Sequence, residues 1–261
     1  MTKRALCVGI NLYLDPRNNL RGCRNDAFDM AAFLQIELGV EQKNTVILLD
    51  KTATKANIIR VLTRMVAESM PGDYLAYCHS SHGTQVMDKN GDELDGYDEA
   101  LCCYDTAEKG AEWDPDTIII DDELRELFAR LPQDMRVEAW FDTCHSGSGL
   151  RQMGMTYDRA RIMLPHDREL IWMQKKRLGL AAVHSGTVLW AGCEDSGLSA
   201  DTAINGKWCG AFTNAFLNVY RPILRGAVLT RVRQCLYETG YSQVPQLDLA
   251  DPELRKRRVG R

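Results

Sequence analysis

Short apolar runs and helical patterns alternate along most of the chain. Six runs have the length and apolar content of buried strands, at residues 4–10, 45–49, 74–78, 136–141, 188–191 and 244–249. Apolar side chains recur at helical spacing at residues 25–38, 54–65, 121–131, 209–220 and 227–237. Strands separated by helices in this way predict an α/β fold, with a mainly parallel central sheet and helices on both of its faces.

The alternation is interrupted at residues 150–185. This stretch holds scattered methionine, lysine and arginine residues without a clean period, and we interpret it as a long connecting segment. It separates a larger region, residues 1–149, from a smaller one, residues 186–261. The chain shows no internal repeat and no low-complexity segment, so residues 1–261 are predicted to form a single domain.

Composition and charge leave this interpretation unchanged. The chain has 261 residues, a formal net charge of -4, 45% hydrophobic residues and 26% charged residues, which is ordinary for a globular protein. This charge balance gives no reason to expect a nucleic-acid-binding or membrane-surface protein. No run approaches the roughly 20 apolar residues that cross a bilayer. The apolar run at the N-terminus is too short for a signal peptide, so we expect a cytoplasmic protein.

The chain contains nine cysteines, an odd number. In a chain without an export signal, this count favours free thiols in a reducing compartment over a disulfide framework. No Cys-x-x-Cys pair is present, which argues against a structural zinc site. Most of the thiols are therefore expected to be small buried side chains, and the question is which of them reacts.

Two predicted strands run directly into segments that carry chemistry. The strand at residues 74–78 is followed by His82 and Gly83, and the strand at residues 136–141 by Cys144. Because the carboxyl ends of parallel strands share one edge of a sheet, these residues are expected to lie close together. His82 would take the proton of the Cys144 thiol and give one to a leaving amine. The backbone N–H groups of Gly83 and Cys144 would polarise the scissile carbonyl.

Other interpretations of these segments stay open. A metal site would be built from His79, His82, Cys144 and His145. Against it, adjacent side chains such as Cys144 and His145 point in different directions on extended chain. A serine nucleophile, Ser146 or Ser148, would lack the Gly-x-Ser-x-Gly turn that usually presents such a residue. Taken alone, His82 and Cys144 are also common as buried structural residues.

Two segments resemble the catalytic signatures of the metacaspases (type I-like or prokaryotic, peptidase family C14), within the caspase-like clan CD cysteine peptidases. They are residues 77–84, with Ser-x-His-Gly, and residues 142–147, with Asp-Thr-Cys-His-Ser-Gly. Other segments resemble further family motifs in the same order, at residues 22–27, 95–101, 190–196 and 210–213. The resemblance covers nearly the whole chain. It implies the caspase-hemoglobinase fold, with His82 as general acid or base and Cys144 as the nucleophile that forms a thioester. Because the first strand begins near Arg4, no N-terminal prodomain is expected.

The resemblance also implies cleavage after Arg or Lys. The family's pocket positions fall on Cys23, Asp26, Ser80 and Asp142. Two carboxylates in one pocket would pair with a basic side chain, and Arg is favoured because its guanidinium binds in a bidentate manner. Without the resemblance, Asp26 would be interpreted as an exposed acid at a helix N-terminus and Asp142 as a strand-end cap.

Calcium is a further implication of the resemblance. The family's acidic site falls on Asp98, Asp121 and Asp122, and carboxylate oxygens are the ligands that Ca²⁺ requires. Asp121 and Asp122 are also explained as caps of a helix. The family's further Asp, seven residues after the nucleophile, is Arg151 here, and its positive charge would oppose a cation. The resemblance thus implies calcium as an activator, Arg151 argues against a complete calcium site, and both alternatives stay open. No cofactor is expected for the chemistry itself.

An enzyme with this preference is also expected to process itself. The connecting segment is rich in basic residues: Arg151, Arg159, Arg161, Arg168 and residues 175–177. The alternative is a solvated charged loop. The expected partners are protein or peptide substrates with Arg or Lys before the scissile bond, and the resemblance implies a monomer.

Two rival functions come from other classes. One is a non-enzymatic caspase-like scaffold for protein interactions, against which the intact pair His82 and Cys144 argues. The other is a non-proteolytic thiol hydrolase or transferase that uses the same pair. The acidic pocket argues instead for a basic peptide side chain.

Overall fold

The structure is a computed structural model that describes residues 1–88, 97–144, 159–163, 184–193 and 199–261. Within these residues the strands are β1 (Lys3–Gly9), β2 (Thr45–Leu49), β3 (Tyr74–Ser80), β4 (Gly83–Met87), β5 (Tyr97–Cys102), β6 (Glu108–Lys109), β7 (Glu112–Trp113), β8 (Ile118–Ile120), β9 (Arg136–Asp142), β10 (Arg159–Ala160), β11 (Thr187–Ala191), β12 (Ala200–Ile204), β13 (Lys207–Gly210) and β14 (Gln246–Leu249). The α-helices are α1 (Cys23–Ile36), α2 (Lys55–Ala67), α3 (Asp121–Phe128), α4 (Ala211–Val219) and α5 (Arg225–Glu238). None of the helices described is long and apolar enough to cross a membrane.

A six-stranded sheet forms the centre of the molecule, with the strand order β14-β11-β9-β3-β1-β2. Neighbouring strands are parallel from β11 through to β2, and only the edge strand β14 runs antiparallel. The strands before and after the connecting segment therefore belong to one sheet. The sequence prediction of a mainly parallel central sheet is confirmed.

Helices cover both faces of this sheet because successive side chains of each strand point to opposite sides. In β1, Leu6 and Val8 belong to one buried cluster, which also includes the inward side chains of α2 and α3. Ala5 and Cys7, between them, belong to a second cluster with α1, α4 and α5. A strand buried on both faces carries a continuous apolar run, which is the pattern of β1 in the sequence.

Local sequence explains where α2 and α3 begin. Thr54 precedes α2, and its side chain accepts a hydrogen bond from the backbone N–H of Asn57. The first turn of α3 holds Asp121, Asp122 and Glu123, which favours a helix N-terminus because the helix dipole is positive there. The observed helices start within two residues of the predicted positions.

Small antiparallel sheets were not predicted from the sequence. Two of them have three strands, in the orders β4-β5-β8 and β10-β12-β13, and a further one pairs β6 with β7. The predicted helix at residues 209–220 was too long at its start, because residues 207–210 form β13 and α4 begins at Ala211. These strands have between two and six residues, too few for a clear alternation of apolar and polar positions. They matter because they line the edge of the sheet where chemistry was predicted.

The strands β3 and β9 end side by side. They pair in parallel, and the last pair in their register joins Ser80 to Asp142. The segments that follow, from Ser81 and from Thr143, therefore leave the sheet at the same edge. This is the arrangement that the sequence predicted for His82 and Cys144.

Candidate active site

His82 is held in a defined orientation by its two neighbours. Its ring Nε2 lies 2.8 Å from the carbonyl oxygen of Asn18. Since a carbonyl only accepts, Nε2 carries the proton and Nδ1 is left with a free lone pair. In the part of the chain that the structure describes, Nδ1 has no hydrogen-bond partner. The backbone N–H of His82 donates to the hydroxyl of Tyr13 at 2.9 Å, which anchors the main chain as well.

Burial keeps the His82 ring neutral. Removal from water lowers the pKa of His82 to about 4, while its hydrogen bond to the Asn18 carbonyl acts in the opposite direction. At neutral pH the ring is therefore in the form that accepts a proton. An unpartnered basic nitrogen at the edge of the sheet is what a general base requires.

Cys144 lies where the end of β9 meets the segment before β12. The thiol is fully buried. The backbone N–H of Ser199 points at the Cys144 Sγ at 2.6 Å, and Sγ lies 3.4 Å from the Ser199 carbonyl oxygen. Both main-chain groups of Ser199 therefore fix the position of the sulfur. All nine cysteines are free thiols, and Cys193 packs beside Cys144.

A peptide carbonyl of the chain itself lies between the two predicted catalytic loops. The Arg161 carbonyl oxygen accepts hydrogen bonds from the backbone N–H of Gly83 at 3.0 Å and from that of Cys144 at 3.2 Å. These are the two donors that the sequence predicted for an oxyanion hole. Two N–H groups converging on one carbonyl oxygen polarise it and stabilise the charge that develops there on nucleophilic attack.

The side chain of Arg161 fills an acidic pocket beside this carbonyl. The guanidinium is completely buried. Its Nη2 donates to the carboxylates of Asp26 at 2.8 Å and Asp201 at 3.0 Å. Its Nη1 donates to the hydroxyl of Ser80 at 2.7 Å and to the main-chain oxygen of Asp142 at 3.1 Å. A buried guanidinium needs such compensation, because an unpaired buried charge costs several kcal/mol.

Asp142 faces the Arg161 guanidinium with both its carboxylate and its main-chain oxygen. One oxygen of its carboxylate accepts from the backbone N–H of Thr213 at 2.9 Å and from its hydroxyl at 2.7 Å. The other accepts from the hydroxyl of Ser199 and lies 3.4 Å from Nη1 of Arg161. The Asp142 carboxylate therefore mainly fixes the start of α4, and its carbonyl oxygen makes the closer contact with the guanidinium.

Asp201 is the pocket residue that the sequence analysis missed. It is fully buried in β12, and besides Arg161 it accepts from the backbone N–H groups of Arg21 at 2.8 Å and Gly22 at 2.9 Å. It thus joins the guanidinium to the chain that leads into α1. A charged residue within the short segment 199–204 was the available signal, but nothing in the local pattern connects it to Asp26.

Cys23 and Gly210 complete the walls of the pocket. Burial raises the pKa of the Cys23 thiol well above its ordinary value, against the positive charge of Arg161, so Cys23 is a neutral neighbour rather than a nucleophile. A Cβ atom at Gly210 would lie 2.1 Å from a carboxylate oxygen of Asp142 and 2.6 Å from Nη1 of Arg161. Only glycine leaves room for the guanidinium at this position.

The predicted calcium ligands lie away from this pocket. Asp98 and Asp122 border one cavity, together with Trp113, while Asp122 forms an ion pair with Arg125. Among the described residues, no group of three or more His, Cys, Asp or Glu side chains is arranged to hold a metal. Since Ca²⁺ takes six to eight oxygen ligands, the described residues alone do not fit it. The acidic stretch 92–95 lies outside the described residues. So does His145, a ligand of the alternative metal site considered in the sequence.

Comparison with known proteins gives one consistent family. The profile of the metacaspase peptidase C14 domain matches residues 3–153. Metacaspase-1 of Schizosaccharomyces pombe is 31% identical to this chain, with 96% of this chain and 68% of that protein covered. Metacaspase-1 of Coccidioides immitis is 30% identical, with 96% and 62% covered. This chain thus spans about two thirds of the length of these relatives.

Solved structures show the same fold. A crystal structure of a protein from Geobacter sulfurreducens superposes with a TM-score of 0.73 at 27% identity and covers 100% of this chain and 98% of that one. Caspase-1 from Spodoptera frugiperda superposes with a TM-score of 0.56 at 14% identity, covering 95% of this chain and 86% of that one. The second likeness establishes the caspase-like fold.

The fold and its relatives define a caspase-like cysteine peptidase. Within that class, the chain belongs to the metacaspase family of C14 peptidases.

Proposed function

We propose that the protein is an endopeptidase that cleaves after Arg or Lys through a thioester on Cys144, with His82 moving the proton. The observation that carries this proposal is the position of Arg161. Its carbonyl oxygen accepts from the N–H groups of Gly83 and Cys144, and its guanidinium fills the acidic pocket. A substrate residue before a scissile bond needs these two sets of contacts together.

The chemistry follows from the groups around this carbonyl. Nδ1 of His82 takes the thiol proton of Cys144, and the sulfur attacks the carbonyl carbon. The N–H groups of Gly83 and Cys144 hold the oxyanion. When the C–N bond breaks, His82 gives its proton to the departing amine and a thioester remains. Water, deprotonated by His82, then attacks the thioester, releasing a carboxylic acid and returning the thiol.

Self-processing is the second part of the proposal, and it assigns one bond. If Arg161 occupies the site of the residue before the cut, the bond that breaks joins Arg161 to Ile162. The main chain on both sides is held, since the Arg161 N–H donates to the Ser199 carbonyl at 3.1 Å and the Met163 N–H donates to the Gly83 carbonyl at 3.1 Å. The segment therefore also blocks the site against other substrates until it leaves.

Calcium activation, the monomeric state and a cytoplasmic location are proposals that rest on the sequence and on the family resemblance. The test of the proposed function therefore includes assays with and without calcium. For Asp98, Asp121 and Asp122 to act as ligands, further oxygens must come from outside the described residues.

A panel of fluorogenic peptides tests the proposed function. We expect release of fluorophore after Arg and, more slowly, after Lys, and background rates after Asp, because an acidic pocket repels a carboxylate. Each peptide is assayed with millimolar Ca²⁺ and with a chelator, and a higher rate with Ca²⁺ would support the activator role. Equal rates for Arg and Asp peptides would contradict the pocket, and no turnover of any peptide would favour the scaffold alternative.

The pH dependence of binding gives a second test. Burial raises the pKa of Asp26 to about 6, with the Arg161 guanidinium opposing this effect and Asp142 adding to it. Below this pH the carboxylate takes up a proton and loses the charge that holds the guanidinium. Because the Arg161 guanidinium already lowers this value, the pKa of Asp26 is higher in the empty pocket. We therefore expect KM for an Arg peptide to rise as the pH falls towards about 6, while kcat persists to lower pH because His82 stays neutral down to about 4. A KM that is constant from about pH 5 to 8 would contradict this role of Asp26.

A further inference from the structure

We propose a binding subsite for the residues that follow the scissile bond. It selects a large apolar side chain at the second position after the cut. The inference rests on the proposed function, since it takes Arg161 as the residue before the cut. It concerns the cleft beside Met163, a surface separate from the acidic pocket.

Main-chain hydrogen bonds fix the register of the chain on this side. Gly83 donates to the Arg161 carbonyl and accepts from the Met163 N–H, so Ile162 lies in a parallel bridge opposite Gly83. Because both hydrogen bonds are made with the main chain of Gly83, the segment after Arg161 has a fixed position. The side chain of the residue that donates to Gly83 therefore has a fixed direction. In this register that side chain belongs to Met163, two residues after Arg161.

The side chain of Met163 lies in an apolar cleft with room beside it. Met163 is only 3% exposed and belongs to the main core cluster. The apolar lining of the cleft comes from Tyr13, Leu14, Ala107 and Trp113. The polar part of the lining comes from Asp15, Asn18, Thr106 and Glu108. Burying a large apolar side chain in such surroundings favours binding.

The walls of the cleft are tied to the catalytic segment. The hydroxyl of Tyr13 accepts from the backbone N–H of His82 at 2.9 Å, and Nε1 of Trp113 donates to the hydroxyl of Thr84 at 2.7 Å. His82 and Thr84 are the two neighbours of Gly83. The cleft is therefore built in a fixed position relative to the donor that holds the scissile carbonyl, as a specificity subsite requires.

Internally quenched peptides test this subsite in the full-length chain. They share the sequence Arg-Ile and differ at the next residue, which is Met, Leu, Ala or Asp. We expect kcat/KM for the Met and Leu peptides to exceed that for the Ala peptide roughly tenfold, with the Asp peptide slowest. Equal values for Met and Ala in the wild-type enzyme would overturn the proposal.

A matched pair of exposed residues supplies the variants. Leu14 is 58% exposed and walls the cleft, so Leu14→Asp should fold and should lower the Met-to-Ala ratio at least about threefold. Leu12→Asp changes a residue of the same loop that is 42% exposed and does not line the cleft, and the ratio should not change. An unchanged ratio in Leu14→Asp would place the selection elsewhere and contradict the assignment of the cleft.

A coumarin amide of Arg separates this inference from the proposed function. That substrate has no amino acid after the cut, so its hydrolysis reports only the acidic pocket and the nucleophile. Hydrolysis of the coumarin amide with a Met-to-Ala ratio of one would overturn the subsite and leave the function standing. No hydrolysis of any Arg substrate would overturn the function, and the subsite with it.

Discussion

Replacing Cys144 by Ala should leave the chain uncut between Arg161 and Ile162, whereas the wild-type chain should yield two fragments, residues 1–161 and 162–261. The Cys144 sulfur is the nucleophile that opens the proposed reaction, and without it the thioester to the Arg161 carbonyl carbon does not form. Loss of a nucleophile costs at least about 10⁴-fold in rate. Intact-mass spectrometry of both proteins over a time course measures this directly.

Substitution at the cut residue distinguishes this bond from others in the connecting segment. Arg161→Gln removes the charge that Asp26 and Asp201 bind, and we expect the cut to disappear. Arg159→Gln, two residues earlier, removes the same charge from the same segment and should leave the cut in place. Fragments that end at Arg159 or at Arg168 in the wild-type protein would contradict the assignment of Arg161. A cut that persists in Cys144→Ala would contradict the nucleophile.

The edge of the sheet that carries the site was predictable from the sequence because it depends on local patterns. The apolar runs of β3 and β9 identify buried parallel strands, and residues that follow such strands gather at one edge. The placement of His82, Gly83 and Cys144 follows from this rule alone. Family resemblance then supplied Cys23 and Asp26, at the start of α1, and Ser80, at the end of β3, which share no local pattern.

The full set of contacts in the acidic pocket was not predictable, because it depends on side chains that are far apart in the chain. Asp201 is 40 residues from Arg161 and lies in a five-residue strand. Its importance is visible only when β12 and the start of α1 are placed together. Arg161 appeared in the sequence as one of several basic residues in the connecting segment, and no rule of spacing distinguishes it from Arg159.

The two carboxylates predicted for the pocket, Asp26 and Asp142, have different main partners in the structure. Asp26 binds the guanidinium and the backbone N–H of Gly210, as a pocket residue should. Asp142 uses its carboxylate chiefly to hold Thr213. The second carboxylate that accepts a hydrogen bond from the guanidinium is thus Asp201, at 3.0 Å, and its contribution to binding can be measured.

Replacing Asp201 by Asn should reduce the preference for Arg over Lys. Nη2 of the bound Arg is shared between Asp26 and Asp201, and a charged hydrogen bond of this kind contributes about 2 kcal/mol, or roughly 30-fold in kcat/KM for Arg peptides. Lys has a single terminal nitrogen and a shorter reach, so it depends less on Asp201. We expect kcat/KM for Lys peptides to fall several-fold less, which narrows the Arg-to-Lys ratio.

The Arg-to-Lys ratio of kcat/KM distinguishes a role of Asp201 in binding from a role in holding the local structure. Asp201 also accepts from Arg21 and Gly22, and loosening that loop would lower the Arg and Lys rates by the same factor. Equal losses for the two peptides would therefore show that Asp201 acts only through the loop. Asp29→Asn is the matched control, because it removes one carboxylate from a partly exposed ion pair with Lys207, and Asp29 lies in α1, the helix that carries Asp26. It should leave the ratio unchanged, and melting temperatures of both variants would show whether each is folded.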